Sequence, residues 1–375
     1  MVKSNKIYLD YAASALSLQA NPGAIHDLGT TEKNKLENAR TIIAKILYAR
    51  NDEIIFTSGA TESNNLAILG LVQNFKKPHI ITTNIEHASV LEVFRHLEKT
   101  KQAEVTFVEV EKNGIVDVKK IKKSLKPNTV LISVMYANNE IGTIQPIGEI
   151  AKEIRHFNKI KTTKIFFHAD ATQAVNYLPI NVLKLGVDLL SFNGAKIYGP
   201  KGIGILYIKK NTPVKKIMFG GDQEFGLRPG TENVALAVGL AKALQVVDKI
   251  KNKEVFRLTK LRDYFISSLI RANKRIVLNG DLENRLPNNV NITIPKIPSD
   301  LLVIELSAKG IMASSKSACK SSKAEGSYVI KVLRKEADSE IGGLRFSLGR
   351  DTTKKDIDYT VKTLSQILTK LKKWY

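Results

Sequence analysis

Between residues 53 and 207, seven short runs are apolar almost without interruption. They are Glu53-Ile54-Ile55-Phe56, His79-Ile80-Ile81-Thr82, Val105-Thr106-Phe107-Val108, Val130-Leu131-Ile132-Ser133-Val134, Lys164-Ile165-Phe166-Phe167, Asp188-Leu189-Leu190-Ser191 and Ile203-Gly204-Ile205-Leu206-Tyr207. A strand with one solvated face alternates apolar and polar residues, whereas a strand covered on both faces has no polar side to show. Longer stretches with helical spacing separate the runs, and Leu36, Ala39, Ile43 and Ile46 form such a pattern ahead of the first. The pattern predicts an α/β protein with a mainly parallel seven-stranded sheet and helices on both faces.

From about residue 245 the pattern changes. A long helical stretch precedes the strand-like Asn289-Val290-Asn291-Ile292-Thr293-Ile294 and Gly343-Leu344-Arg345-Phe346-Ser347, and a last helix carries Val361, Leu364, Leu368 and Leu371 in one stripe. These elements predict a smaller α+β domain. The expected division assigns residues 15–245 to a large domain and residues 1–14 and 246–375 to the small one, with the first residues of the chain returning to pack near it.

The chain of 375 residues is 43% hydrophobic and 25% charged, as in soluble globular proteins. No apolar stretch reaches the roughly 18 residues of a membrane span. Met1-Val2-Lys3-Ser4-Asn5-Lys6 leads into Ile7-Tyr8-Leu9-Asp10 without the apolar region of a signal peptide. With a single cysteine, these features predict a cytoplasmic protein without a membrane partner. Lys and Arg number 58 against 36 Asp and Glu, a net charge of +22. The basic residues are mostly scattered lysines, as at Lys119-Lys120, Lys209-Lys210 and Lys215-Lys216, and aromatics are 7%. No arginine-rich arm or aromatic-interleaved patch stands out; the charge leaves an acidic partner or direct nucleic-acid binding open.

In open parallel sheets ligands collect at the carboxyl ends of strands, and the chemically informative residues fall there. Thr57-Ser58-Gly59-Ala60-Thr61-Glu62-Ser63-Asn64 is a small-residue turn entering a helix, which exposes backbone N–H groups suited to a phosphate or simply caps the helix. His168-Ala169-Asp170-Ala171-Thr172-Gln173 puts an acid past a buried strand, where it needs a partner in a salt bridge, a cap or a ligand. Asn193-Gly194-Ala195-Lys196 places a lysine beyond another strand end, either as a surface residue or as a Schiff-base former in a partly desolvated pocket. A phosphate cradle, an acid and a lysine at neighbouring strand ends have the chemistry of a pyridoxal 5'-phosphate site. Cys319 sits in the polar run Ser314-Ser315-Lys316-Ser317-Ala318-Cys319-Lys320, either as a chance surface cysteine or, with two lysines favouring the thiolate, as a nucleophile.

These segments, in this order, resemble the cysteine desulfurases, the NifS/IscS-like branch of the class V aminotransferases. The likeness runs from Tyr8-Leu9-Asp10-Tyr11-Ala12-Ala13 to the last helix. It implies the pyridoxal-phosphate-dependent transferase fold of type I. It also implies cofactor binding by Ala60, Thr61, His87, Asn139, Asp170, Gln173, Asn193, Lys196 and Thr231. In the resemblance Lys196 is the Schiff-base lysine, Asp170 pairs with the pyridine nitrogen, and His87 of Glu86-His87-Ala88-Ser89 stacks on the ring. Gln173 lies near the phenolic oxygen, and Thr231 of Arg228-Pro229-Gly230-Thr231 reaches the phosphate of a neighbouring subunit, hence a homodimer. Asn139 and Arg345 face the substrate, with Arg345 on its carboxylate, and Cys319 is the nucleophile.

The implied reaction converts L-cysteine to L-alanine and leaves a persulfide on Cys319. An acceptor then takes the sulfur for iron–sulfur cluster assembly or tRNA thiolation. No intrinsic metal is implied, although Cys319 is open to serving as a transient iron–sulfur ligand. A selenocysteine lyase or a class V aminotransferase of the same fold is the nearer alternative, and a non-catalytic binding or scaffold protein the more distant one. The chain departs from the family at Asn193 and Ala195, where serine and histidine usually contact the phosphate, so weaker cofactor retention is expected. Lys316 and Lys320 replace small or hydroxyl residues in the cysteine loop. The sequence ends at Lys372-Lys373-Trp374-Tyr375 without the longer tail many relatives use to dock a scaffold, so the resemblance does not carry that docking route over to this chain.

Overall fold

A computed structural model describes residues 20–160, 163–315, 327–334 and 342–371. The first residues, expected to return to the small domain, lie outside the described residues. So do Cys319 with its flanking Lys316 and Lys320, and the end of the chain at Lys372–Tyr375.

The strands are β1 (Ile54–Thr57), β2 (His79–Thr83), β3 (Glu104–Val108), β4 (Thr129–Ser133), β5 (Phe166–Asp170), β6 (Leu189–Asn193), β7 (Gly204–Ile208), β8 (Val277–Leu278), β9 (Asn289–Thr293) and β10 (Leu344–Ser347). The helices are α1 (Asp27–Leu47), α2 (Ala60–Val72), α3 (Ala88–Lys99), α4 (Val118–Lys123), α5 (Ile147–Ile160), α6 (Val182–Leu185), α7 (Val234–Ala272), α8 (Ser299–Ser307), α9 (Tyr328–Leu333) and α10 (Lys354–Leu371). β1 to β7 form one sheet in the order β1-β7-β6-β5-β4-β2-β3, and β10-β9-β8 form a second. In the large sheet only β7 runs against its neighbours; the other pairings are parallel. The sheet is therefore mainly parallel, and the α/β expectation holds.

The apolar runs divide by the two-residue period of a strand. Ile55, Leu131, Phe166, Leu189 and Leu206 join Leu66, Leu71 and Phe94 of α2 and α3 in one core. Ile54, Ile132, Phe167, Leu190 and Tyr207 join α1, α5 and α7 in the other. β3 departs from the pattern: Glu104 is exposed and Val105 to Phe107 are only partly covered, whereas β1 at the opposite edge is buried throughout. The 39-residue α7, about 58 Å long at 1.5 Å per residue, runs unbroken through residue 245, so the expected domain division falls inside a helix.

Two features fix the edge of the sheet where β1, β5 and β6 end. A Cβ at Gly204 would lie 2.5 Å from the backbone of Gly59 and 2.8 Å from Thr57 Oγ1, so only glycine lets the turn into α2 lie against the start of β7. A buried ion pair joins α1 to the segment after β7. Arg40 donates to both carboxylate oxygens of Glu224 at 2.9 and 2.7 Å, and Glu224 also accepts the Phe56 N–H of β1 at 2.8 Å.

Candidate active site

A cavity of about 590 Å³ opens at this edge, lined by residues from both sheets. Its floor is Asp170, the last residue of β5, which is 5% exposed. Asp170 Oδ2 accepts from Asn64 Nδ2 at 2.9 Å, and Oδ1 accepts the Thr172 N–H at 2.9 Å. Two residues earlier, His168 faces the core between adjacent strands. Its ring nitrogens meet Ser133 Oγ at 2.8 Å and Ser191 Oγ at 3.0 Å, and burial pushes its pKa down to about 4, opposed by the charge of Asp170. A neutral imidazole thus fills the sheet below the acid.

His87 stands on one wall as the N-cap of α3. Its Nδ1 accepts the Ser89 N–H at 3.2 Å and lies 2.8 Å from Ser89 Oγ, which in turn accepts from Asn64 Nδ2 at 2.8 Å. With Nδ1 an acceptor, the neutral ring carries its proton on Nε2. Glu86, just before it, is fully buried and accepts from Thr83 Oγ1 and the Met135 N–H. Burial raises its pKa to about 8, so this carboxyl holds its proton at neutral pH.

Lys196 lies across the cavity in a 3-10 turn, Gly194–Ile197, directly after β6. Asn193 caps that turn through Oδ1, which accepts the Lys196 N–H at 3.2 Å, and Ala195 offers only a methyl group to the cavity. At the third corner α2 begins at Ala60 after Gly59, an N-cap with no side-chain hydrogen bond. The first-turn N–H groups have no acceptor within the helix, and Ala60 and Thr61 line the cavity.

The second sheet supplies the remaining wall. Arg345 of β10 donates through Nη1 to the Asn139 carbonyl at 2.9 Å, and burial lowers its pKa against the opposing charge of Glu140. Of the two adjacent asparagines, Asn138 is buried and builds the turn, accepting the N–H groups of Glu140 and Ile141 at 2.8 and 3.0 Å. Asn139 lines the cavity instead.

Among the described residues, eight buried side-chain atoms lack a hydrogen-bond partner, and half of them belong to this wall and floor: Asn139 Oδ1, Thr172 Oγ1, Asn288 Oδ1 and Arg345 Nε. Such atoms are costly unless a ligand or water satisfies them. Together with the open helix N-terminus, the buried acid and the lysine, they fit an aromatic cofactor bearing a phosphate and a carbonyl, as pyridoxal phosphate does.

Of the residues expected from sequence, Ala60, Thr61, His87, Asn139, Asp170, Gln173, Asn193, Lys196 and Arg345 line this one cavity. Thr231 does not; it is exposed, on a segment tied to the start of α2 by Arg228 Nε to Glu62 Oε1 at 3.1 Å. The described flanks of the cysteine loop are pinned at the same place. Ser314 exchanges backbone hydrogen bonds with Arg345, and Ser327 Oγ donates to Glu140 Oε2. Sequence reasoning passed over Asn64, Ser89 and Tyr198. The available signal was polarity: Ser63-Asn64 interrupts the apolar packing of α2.

The aminotransferase class-V family model matches residues 2–360. A cysteine desulfurase IscS of Dictyoglomus turgidum is 43% identical over 98% of this chain and 95% of its own. A probable mitochondrial cysteine desulfurase of Dictyostelium discoideum is 41% identical over 92% of this chain and 76% of its own. Among solved structures, a NifS-like protein superposes with a TM-score of 0.86 at 34% identity, covering 93% of this chain and 92% of that one. The apo cysteine desulfurase of Thermococcus onnurineus gives 0.83 at 25% identity, covering 95% and 89%. The chain belongs to the class-V aminotransferase family, in its cysteine desulfurase branch.

Proposed function

We propose that the protein takes sulfur from L-cysteine, leaving L-alanine and a persulfide on Cys319. The observation that carries this reading is the convergence of Lys196, Asp170, His87 and Arg345 on one cavity, with both described ends of the Cys319 loop fastened beside Arg345. Pyridoxal phosphate would be held by the Lys196 amine, the Asp170 carboxylate and the N–H groups at the start of α2. When bound, it supplies an electron sink for the bond broken at the substrate Cα.

This chain's own groups would do the rest. The Arg345 guanidinium holds the substrate carboxylate, and Asn139 limits how the amino acid can turn. Lys196 takes the Cα proton, and Nε2–H of His87 is a donor beside the reacting atoms. The Cys319 thiolate attacks the substrate sulfur: an S–S bond forms, the C–S bond breaks with its electron pair going to the carbon side, and protonation there completes alanine. Cys319 lies four residues past Ser315, the described residue next to the Arg345-bound Ser314.

The exposed position of Thr231, with Phe219 at 81% and Phe225 at 58% exposure on the same segment, supports a homodimer in which Thr231 serves the partner's phosphate. We assign the reaction to the cytoplasm and its acceptor to iron–sulfur assembly or tRNA thiolation. Among the described residues no helix is long and apolar enough to cross a membrane. Intact-protein mass spectrometry of cofactor-loaded enzyme before and after L-cysteine is the test. Wild type should gain one sulfur atom and Cys319→Ala none; a loaded wild type that gains none rules the reaction out.

A further inference from the structure

Lys196 lies in the turn after β6 and Arg345 in β10 of the second sheet, yet the proposed reaction needs them at a set distance, one on the Cα proton and the other on the carboxylate. A direct side-chain contact spans that gap. Tyr198 follows Lys196 by two residues and closes its turn in the left-handed region, at φ 62° and ψ 21°. A bulky residue is seldom found there, and such strain persists where surrounding contacts determine it. Half-exposed, the ring is not held by burial. Its hydroxyl accepts the Arg350 N–H at 3.1 Å, and the Arg350 guanidinium lies 4.0 Å from the ring centroid.

Arg350 stands five residues beyond Arg345, in the turn that leaves β10. That turn is itself rigid: Arg257 donates to the carbonyls of Gly349, Arg350 and Thr352 at 2.9, 2.9 and 2.8 Å, and is held by Glu254 at 2.9 Å. Gly349 leaves room for the hydroxyl, since a Cβ there would lie 3.1 Å from Tyr198 Oη.

We propose that Tyr198 and Arg350 are a positioning pair that sets the spacing between the lysine turn and the carboxylate-binding strand. The inference rests on the reaction proposed above. Misplacing reacting groups by 1 Å can cost about 100-fold in rate. Tyr198→Leu should therefore lower kcat for L-cysteine by about 30-fold, with KM within about 3-fold because Arg345 is untouched. Tyr198→Phe, which keeps the stacked ring, should lose only about 3-fold. Arg350→Met combined with Tyr198→Leu should be no worse than the more impaired single variant, as for two halves of one contact.

A second readout needs neither cofactor nor catalysis. The N–H groups of Tyr198 and Gly199 both donate to the Gly194 carbonyl. In the apo-protein, Arg350→Met should speed hydrogen exchange at these amides by at least about tenfold, although the change lies 152 residues further along the chain. Losses that multiply in the double variant, or unchanged exchange at Tyr198 and Gly199 in folded Arg350→Met, would overturn the proposal. The exchange result stands whether or not wild type takes sulfur from L-cysteine.

Discussion

Asp170 and Asn64 are 106 residues apart in the chain and meet at 2.9 Å beneath the cavity, where one carboxamide nitrogen serves both the acid and Ser89. Ser89 in turn meets His87 Nδ1, so the floor and one wall form a single hydrogen-bonded unit. A hydrogen bond to a charged group is worth about 1.5–3 kcal/mol. Asn64→Leu should accordingly lower kcat/KM for alanine formation by roughly 10- to 100-fold, and the loss should be greater in Asp170→Asn.

Arg345→Lys keeps a cation but not the planar fork. KM for L-cysteine should rise about tenfold with a smaller change in kcat, read from initial rates of alanine formation.

Two buried groups tilt stability with pH in opposite directions. Glu86, raised from 4.5 to about 8, contributes stability below pH 4.5 that is lost as pH rises toward 8. His168, lowered from 6.5 to about 4, contributes stability above pH 6.5 that is lost as pH falls toward 4. Each has a limiting slope of about 1.4 kcal/mol per pH unit. The two slopes oppose each other between 4.5 and 6.5, and only the Glu86 loss remains from 6.5 to 8. Denaturant titrations at pH 6.5 and 8 should show Glu86→Gln losing less stability over that interval than wild type.

Glu224 serves both the Arg40 guanidinium and the Phe56 N–H. Removing one member of a buried pair costs about 3–5 kcal/mol where the other charge is left uncompensated, and Glu37 at 3.2 Å still faces Arg40. Glu224→Gln should therefore cost less than that full penalty but measurably destabilise the protein in chemical denaturation.

Ala195 presents a methyl group where relatives in the resemblance carry histidine. Ala195→His should slow pyridoxal phosphate loss on dialysis several-fold, followed by the cofactor's absorbance; an unchanged rate would place retention elsewhere.

By itself the sequence determined the layered architecture and which strand ends hold chemistry. Doubly covered strands must be apolar on both faces, and a polar residue just past a buried run has to be at a carboxyl end. It also announced where cover is incomplete less well: β3 reads like its neighbours, because a run of Val, Thr and Phe does not say how fully other layers cover a strand. Only the tertiary structure decided the pairings. That Asn64 supports Asp170, that Asn138 builds the turn while Asn139 faces the cavity, and that Tyr198 after β6 meets Arg350 after β10 are contacts between residues far apart in the chain or opposite in direction. Local patterns fix the period of side chains along a strand or helix; the partner each one finds depends on how the layers close on one another.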